Sequence, residues 1–332
     1  MNLLIRSPNW IGDTVLSTPL IKLLKGKIKD LKITILAKEY IKELWENNPD
    51  IDGIISFKPG ITGYLELSKK LRAKKFDTIL ILPNSFSSAL IPYIAGIKER
   101  VGYITEYRGF LLTRKIPFND TRENHLVYEY LEFAKTFGIE ENPAMPELFI
   151  TDKEKIEADE ILENNGINTG DTVIGICPGA TYGPAKRWQQ SNWKQLAQKL
   201  IKDYNAKILI FGGRQEEGLL NGISEGLESG GVVFAGINLR MLMALINRCK
   251  IFISNDTGPM HIAASLKIPV VAIFGSSSPL WTSPLGNNNK VIYKALPCSP
   301  CFKRTCDKKN VYECLTSITP EEVFSAVMSL YI

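Results

Sequence analysis

One stretch of the sequence carries the residue types that hold phosphate groups. Between Ile251 and Pro279, a short apolar run leads into a polar turn, a helical pattern and a second apolar run. Pro259 stands at a first helical position, which suits its fixed backbone angle. The free amides of a helix start, together with the hydroxyls of Thr257 and Ser276–Ser278, are suited to bind a phosphate. A well-capped structural turn would give the same pattern, so this stretch alone leaves both interpretations open.

A basic pair stands in a second, glycine-bearing loop. The apolar run Thr172–Cys177 predicts a strand, and the loop Gly179–Trp188 that follows it contains Lys186 and Arg187. These side chains can neutralise a diphosphate whose other side meets a helix start. His261 lies near such a start, although a lone histidine is more often structural. No GxGxxG follows the first predicted strand and no GxxxxGKS or GxxxxGKT occurs, which disfavours hydride transfer and NTPase activity.

In the first half of the chain, one carboxylate lies in a loop that follows a predicted strand. Met1–Arg6 predicts a buried strand, and the loop Ser7–Asp13 follows it before apolar residues recur at helical spacing. Asp13 is suited to take a proton from a substrate hydroxyl. It is also suited to cap a helix over Thr14–Lys25, and the residues alone leave the two roles open.

A turn-rich segment between Arg100 and Gly109 mixes arginines with aromatic residues. Such a segment could bind phosphorylated or sugar groups, or it could be a solvated loop.

Four cysteines lie late in the chain, separated by two, four and seven residues: Cys298, Cys301, Cys306 and Cys314. Their spacing allows a structural metal but matches no common zinc finger, so reduced thiols or a local redox pair remain the alternative.

Short apolar runs that alternate with helical patterns predict an α/β protein with two Rossmann-like, doubly wound domains that face a cleft. We expect an N-terminal domain over residues 1–150, a C-terminal domain over 151–320 and a helix over 321–332 that could pack back on the N-terminal domain. The linker is expected at Asn142–Pro146. Because pockets favour domain interfaces, four loops should line the cleft: Ser7–Asp13, Gly179–Trp188, Gly212–Glu217 and Asn255–His261.

Composition restricts the class of protein. The 332 residues, 45% hydrophobic and 23% charged, fit a globular protein of about two domains. No apolar run approaches the ~20 residues of a membrane span and Arg6 interrupts any signal-peptide core, so we expect a cytoplasmic protein. The net charge of +5 is too small to predict nucleic acid as a partner. Lysine-rich runs at 22–32 and 69–75 are either solvated helix faces or contacts with an anionic membrane surface.

Four strings of residues together resemble one known family nearly from end to end. The sequence is similar to the bacterial lipopolysaccharide heptosyltransferases of glycosyltransferase family 9, and most similar to the members that add the second heptose. The strings are RSPNWIGDTVLSTP at Arg6–Pro19, LPNSFSSALIPYIAGIKERVGY at Leu82–Tyr103, CPGATYGPAKRW at Cys177–Trp188 and SNDTGPMHIAASLKIPVVAIFGSSSP at Ser254–Pro279.

The resemblance implies the GT-B glycosyltransferase fold. It implies that ADP-L-glycero-D-manno-heptose binds the C-terminal half and that the acceptor, the heptosyl-Kdo inner core on lipid A, binds the N-terminal half. Asp13 falls on the family's proposed general base. The implied donor-binding residues are Thr181, Lys186, Arg187, Asp256, Thr257, Gly258, Pro259 and His261. The implied acceptor-binding residues are Asn9, Trp10, Asn84, Ser85, Arg100 and Arg108.

The implied reaction is a single inverting displacement in which Asp13 takes the proton of the attacking hydroxyl. Lys186, Arg187 and the helix start would stabilise the ADP leaving group, so no cofactor and no catalytic metal is expected. Contact with the inner membrane surface would be peripheral. Two departures stand out: Gln189 replaces the proline usual after Arg-Trp, and the cysteine-rich segment is found only in some relatives. Its metal stays undecided.

Two other functions remain open at this point. The same fold would serve a related transferase or an epimerase that uses another nucleotide sugar. A protein of a different class, which binds a nucleotide sugar or a lipid without catalysis, would carry the same phosphate-binding loops. Release of ADP only in the presence of acceptor separates the enzyme from the binding protein.

Overall fold

The computed structural model of the protein describes residues 1–142, 144–227 and 230–331. The chain divides into two compact units, Met1–Phe149 and Ile150–Ile332, one residue before the boundary expected from the sequence. Pro143, in the expected linker, lies outside the described residues. Among the residues described, no helix combines the length and hydropathy that crossing a membrane requires.

Short aliphatic runs form the strands of the first unit. Within its described residues, six strands make one parallel sheet in the order β3-β2-β1-β4-β5-β6. Leu3, Leu4 and Ile5 of the central β1 are fully buried, as expected for a parallel strand. The strands are β1 (Asn2–Arg6), β2 (Lys32–Lys38), β3 (Gly53–Phe57), β4 (Thr78–Ile81), β5 (Glu99–Tyr103) and β6 (Arg114–Ile116).

The helices of the first unit differ from the prediction at one place. They are α1 (Ile11–Leu16), α2 (Thr18–Lys27), α3 (Ile61–Lys74), α4 (Phe86–Ile94) and α5 (Val127–Lys135). The single helix predicted over Thr14–Lys25 is wrong, because α1 ends before Ser17 and α2 begins after it. Pro19 lacks the amide that a continuous helix would need, and the Ser17 hydroxyl donates to the Thr14 carbonyl at 2.8 Å. The apolar spacing continues across the break, which is why the pattern resembles one helix.

The second unit repeats this design. Within its described residues, six parallel strands follow the order β12-β11-β10-β7-β8-β9. The strands are β7 (Val173–Cys177), β8 (Lys207–Gly212), β9 (Gly231–Ala235), β10 (Ile251–Asn255), β11 (Val270–Phe274) and β12 (Asn289–Tyr293). The helices are α6 (Asp152–Asn164), α7 (Gln190–Tyr204), α8 (Glu217–Ser224), α9 (Leu239–Asn247), α10 (Gly258–Ser265), α11 (Pro279–Thr282), α12 (Glu313–Thr316) and α13 (Pro320–Tyr331). This is the predicted pair of Rossmann-like, doubly wound α/β sheets.

The first helix of the second unit is fixed at its start by a capping box. The Thr151 hydroxyl accepts from the Glu154 amide at 3.2 Å, and the Glu154 carboxylate accepts from the Thr151 amide at 2.7 Å. The same carboxylate pairs with Arg240 of α9 at 2.7 Å. Hydrogen bonds from the Arg240 guanidinium, against the opposing effect of burial, hold the pKa of Glu154 at about 2. The pair therefore joins α6 to α9 while the carboxylate stays charged.

The C-terminal helix belongs to the core of the second unit. Val323 and Val327 of α13 are fully buried there, in one apolar cluster with Leu196 and Leu200 of α7. The sequence predicts a helix over 321–332 that could pack back on the N-terminal domain. Ile332 lies outside the described residues. The buried side chains of α13 pack on α7 and on the strands of their own unit.

Candidate active site

Two loops of the second unit start side by side where its strand order reverses. β7 and β10 are neighbours in register, with Cys177 opposite Ser254, so the loops after them leave the same edge of the sheet. Asn255, fully buried, joins the two loops. Its amide donates to the Pro178 carbonyl at 2.7 Å, and its side-chain oxygen accepts from the Trp188 amide at 3.2 Å. One side chain thus holds both ends of the segment 178–188, which we call the donor loop.

Lys186 ends a short 3-10 turn within the donor loop and forms a buried ion pair. Its Nζ donates to Oδ2 of Asp256 at 2.5 Å, and the same oxygen accepts from the Ser277 hydroxyl at 2.5 Å. Asp256 is 5% exposed, whereas the Lys186 side chain keeps 16% of its surface. Because its carboxylate is occupied by these donors, Asp256 acts by orienting the Lys186 ammonium. A direct contact with a diphosphate, as predicted for Asp256, would bring two negative groups together.

Arg187 is held by the donor loop itself. Its guanidinium donates twice to the Ala180 carbonyl, at 3.2 and 3.1 Å, and lies 3.4 Å from Oε1 of Glu216. Glu216 also accepts from the Gly213 amide at 3.0 Å, so it anchors the loop after β8. A side chain at Gly179 would meet the Glu216 carboxylate at 2.2 Å, which requires glycine at this position unless Glu216 moves. Glu216 was not predicted as a site residue.

The start of α10 is the predicted phosphate-binding element. Thr257 precedes the helix in an extended conformation, without a side-chain cap, and Gly258 and Pro259 are its first two residues. The first amides of a helix have no partner within it and carry its positive dipole end. The Thr257 hydroxyl lies 3.1 Å from that of Ser254. His261, predicted as a donor-binding residue, lies in the first turn and is 5% exposed.

The predicted donor residue Thr181 lies exposed on the donor loop. Next to it, the Tyr182 hydroxyl donates to the Phe302 carbonyl at 2.5 Å, and the Tyr182 ring lies 5.0 Å from Nζ of Lys186. Gly183 has a φ of +153°, and a side chain there would meet the Arg304 carbonyl at 2.6 Å. The cysteine-rich segment therefore shapes the donor loop from outside, a role that its sequence did not indicate.

The four late cysteines line one open cavity of about 600 Å³, together with Lys303, Lys308 and Lys309. Cys298 and Cys301 are exposed, and Cys306 and Cys314 are partly buried. Burial and then the neighbouring cysteines raise the pKa of Cys314 to about 11. In the described part of the chain, no three His, Cys, Asp or Glu side chains are placed to hold a metal ion. The other two cysteines, Cys177 and Cys249, are buried thiols.

Asp13 is the third residue of α1, not its cap. The N-cap position belongs to Trp10, which makes no side-chain cap bond, so the capping role considered for Asp13 is wrong. Asp13 is partly buried in the first helical turn. It faces the buried Tyr130 of α5. Burial, and next the charge of Asp13, raise the pKa of Tyr130 far above its usual range. A partly exposed carboxylate at this place can accept a proton from a hydroxyl.

A buried cation that the sequence did not single out lies beside Asn9. Arg6, the last residue of β1, is 4% exposed and donates to Asn9 Oδ1 at 2.9 Å and to the Ser7 carbonyl at 2.5 Å. Within the described residues no carboxylate pairs with it, and burial lowers the pKa of its guanidinium to about 10. Burial and then the Arg6 charge also lower the pKa of Lys38, at the end of β2. This edge of the sheet is therefore electropositive. Trp10, next to Asn9, is 55% exposed.

Arg108 organises the loop after β4. Its side chain is fully buried and donates to the carbonyls of Tyr103 and Pro83 and to the Ser88 hydroxyl. Burial lowers the pKa of the guanidinium to about 10. Arg108, predicted as an acceptor-binding residue, thus directs its donors to Tyr103 of β5 and to the segment that carries Asn84 and Ser85.

Asn84 and Ser85 follow β4, whose Ile81 is in register with Arg6 of β1. Both residues are partly exposed, and they lie on the same edge of the sheet as Asn9. Arg100 is not brought to this edge. It pairs with Ile79 near the start of β5, and its guanidinium donates to the carbonyls of Leu111 and Ile97.

Comparison with known proteins identifies the relatives of the chain. The chain matches glycosyltransferase family 9 (heptosyltransferase) over residues 64–312. It is 32% identical to the lipooligosaccharide heptosyltransferase 2 of Haemophilus influenzae, covering 97% of this chain and 96% of that protein. It is 30% identical to the lipopolysaccharide heptosyltransferase 2 of Salmonella typhimurium, covering 99% and 98%.

A solved structure is similar over nearly the same length. The ADP-heptose lipopolysaccharide heptosyltransferase II of Escherichia coli superposes with a TM-score of 0.86 at 29% identity, covering 99% of this chain and 98% of that one. Three observations indicate the same family: the resemblance noted in the sequence, the two parallel sheets of GT-B type, and these similarities. The chain belongs to glycosyltransferase family 9, the heptosyltransferases, and is a glycosyltransferase.

Proposed function

We propose that the protein transfers heptose from ADP-L-glycero-D-manno-heptose to the heptosyl-Kdo inner core of lipopolysaccharide, as the second heptose. The observation that carries the proposal is the donor loop, where Asp256 holds the ammonium of Lys186 next to the start of α10. A cation and a helix start together suit a diphosphate. The relatives named as heptosyltransferase 2 support the choice of sugar and acceptor.

The reaction is a single displacement with inversion. The acceptor hydroxyl oxygen forms a bond to the anomeric carbon while the bond from that carbon to the diphosphate breaks. The electron pair of the broken bond leaves on ADP, where Lys186, Arg187 and the amides of α10 stabilise it. The proton of the attacking hydroxyl goes to Asp13.

The acceptor assignment draws on the electropositive edge of the first sheet. Kdo is an acidic sugar, and a carboxylate that is partly shielded from water gains from a nearby guanidinium. Arg6 and Lys38 supply that charge beside Asn9, and Asn84 and Ser85 add polar groups on the same edge. Since this acceptor is anchored in a bilayer, we further propose that the protein works in the cytoplasm, in peripheral contact with the inner membrane.

Product release tests the function. With ADP-heptose, purified protein should release ADP at a high rate only when the heptosyl-Kdo acceptor is added, and the product should gain the mass of one heptose. Release that does not depend on acceptor, or binding without release, would exclude the transferase. Replacing the donor with other ADP- or UDP-sugars separates heptose transfer from the alternatives that use another nucleotide sugar.

We also propose that turnover needs no metal. Positive charge for the leaving group is already supplied by Lys186, Arg187 and the start of α10. Enzyme treated with a chelator and checked by elemental analysis should therefore keep its rate. A loss of activity that a stoichiometric metal restores would contradict this. A metal held by Cys298, Cys301, Cys306 and Cys314 without effect on the rate would be structural only.

A further inference from the structure

The first unit carries a row of four apolar side chains along α4, of which three are exposed and Leu90 packs partly against the core. Phe86, Leu90, Tyr93 and Ile94 recur at helical spacing, so they share one face of the helix. On that face Phe86, Tyr93 and Ile94 are 37%, 52% and 44% exposed. The row is roughly 12 Å long, at 1.5 Å per residue. An ordinary surface helix places polar residues on this face.

A neighbouring loop extends the row. The rings of Phe86 and Phe110 lie 6.1 Å apart, and Phe110 is 72% exposed. Tyr107, 96% exposed, is preceded by Glu106, and both have left-handed backbones with φ of 56° and 45°. Such conformations are unfavourable for residues other than glycine. The Glu106 carboxylate accepts from the Phe86 amide at 3.0 Å and so ties the loop to the start of α4. The structure keeps a strained turn that presents an aromatic ring to solvent.

Basic side chains border this surface. Arg72 of α3 donates to the Ile94 carbonyl at 2.7 Å, and the Arg100 guanidinium lies 5.3 Å from the centre of the Tyr93 ring. The exposed face of α3 carries further lysines, among them Lys69 and Lys70. Residues 61–100 contain seven basic and three acidic residues. The apolar row therefore lies beside an excess of positive charge, although Glu106 is part of the turn.

We propose that the α4 patch, made of Phe86, Leu90, Tyr93 and Ile94 with Tyr107 and Phe110, docks the protein on an anionic lipid bilayer. The proposal rests on the proposed function, which places the acceptor in a membrane. Aromatic rings settle at the level of lipid headgroups, and lysines and arginines beside them are attracted by anionic lipid. An apolar row with a basic border is the surface that these two forces require. Arg100, which the sequence suggested for the acceptor, contributes to this border.

Vesicle binding by the full-length protein tests the patch. The protein should sediment with phosphatidylcholine vesicles that contain roughly one third phosphatidylglycerol, and much less with phosphatidylcholine alone; added salt should weaken the binding. Tyr107→Ser with Phe110→Ser should lower the partition coefficient about tenfold. The control Tyr128→Ser removes a ring that is 47% exposed on α5 of the same unit, and it should change nothing.

A second variant addresses the charges. Lys69→Gln with Lys70→Gln should weaken binding to the anionic vesicles severalfold and reduce its salt dependence. Lys153→Gln, an exposed lysine of α6, is the control. Equal binding to both vesicle types, or patch variants that match their controls, overturns the proposal. A wild-type dimer that the Tyr107 and Phe110 changes convert to monomer also overturns it, since a second copy would then cover the patch.

The two proposals can fail separately. With a deacylated, water-soluble acceptor, the patch variants should keep the wild-type rate of transfer, while with acceptor in vesicles the rate should fall. If wild-type protein binds the vesicles but transfers heptose to neither acceptor, the proposed function fails and the patch stands. If it transfers to both and the patch variants show no difference between them, the patch fails.

Discussion

Replacing Asp13 with asparagine is expected to lower the rate of heptose transfer by ~10²–10⁴, because asparagine cannot accept the proton of the attacking hydroxyl. Affinity for ADP should stay within about twofold, since the residues proposed to bind the diphosphate belong to the second unit. Asp13 lies in the first turn of α1 and is not its N-cap, and the loss of a negative charge from a first helical turn is expected to cost ~0.3–1 kcal/mol of stability. Single-turnover rates, ADP titration and melting temperature measure the three effects.

A neighbouring glutamate provides the matched control for Asp13. Glu129 also lies in a first helical turn of the first unit, and its charge, like that of Asp13, acts on the buried Tyr130. Glu129→Gln therefore removes a similar charge from similar surroundings and should leave the rate of transfer unchanged. If Asp13→Asn and Glu129→Gln lower the rate equally, or if neither does, Asp13 is not the base.

The second large effect is expected at Lys186. Lys186→Met should weaken ADP binding by ~1.5–3 kcal/mol, about 10- to 150-fold, because a charged hydrogen bond to the diphosphate is lost. The same change leaves the Asp256 carboxylate buried without its cation, which is expected to cost roughly 3–5 kcal/mol of stability. Calorimetry of ADP binding and chemical denaturation measure the two quantities.

The loss of Lys186 must be separated from the effect of leaving Asp256 unpaired before Lys186 is assigned to donor binding. In a double variant, Lys186→Met with Asp256→Asn, the unpaired carboxylate is removed as well. Stability should then partly recover while ADP affinity stays low. Recovery of ADP affinity would mean that Lys186 only neutralises Asp256 and does not contact the diphosphate. Lys199→Met, which breaks an exposed lysine–aspartate pair of α7 in the same unit, is the control and should leave ADP affinity unchanged.

The sequence was sufficient to predict the two parallel sheets and the loops at their carboxyl edges. Strands of a buried parallel sheet are short apolar runs, and the residues that follow them are placed by topology alone. Position and residue type therefore predict a phosphate-binding role for Lys186, Arg187 and the start of α10. The family resemblance added the sugar and the acceptor, which residue type cannot supply.

The contacts that each side chain makes could not be predicted from the sequence pattern. Asp256 and Arg108 have the residue types of ligand contacts, but one is committed to Lys186 and the other to backbone carbonyls. Arg6 was missed because a charged residue at a strand end is usually exposed. The break at Ser17 was missed because apolar periodicity continues through it. The contacts of Asp256 and Arg108 join residues that are distant in the sequence, which a short window along the chain does not contain.

The donor loop also has a consequence for the order in which the protein folds during synthesis. The loop spans 178–188, but the Ala185 amide donates to the Arg304 carbonyl at 3.1 Å and the Trp188 indole to the Ile318 carbonyl at 2.9 Å. Its final shape must wait until the ribosome has released residues more than a hundred positions later. The loop around Arg108 closes over about 25 residues and can form much earlier. Translation therefore completes the first unit first, and in the nascent chain the donor loop reaches its final shape only near the end of the second unit.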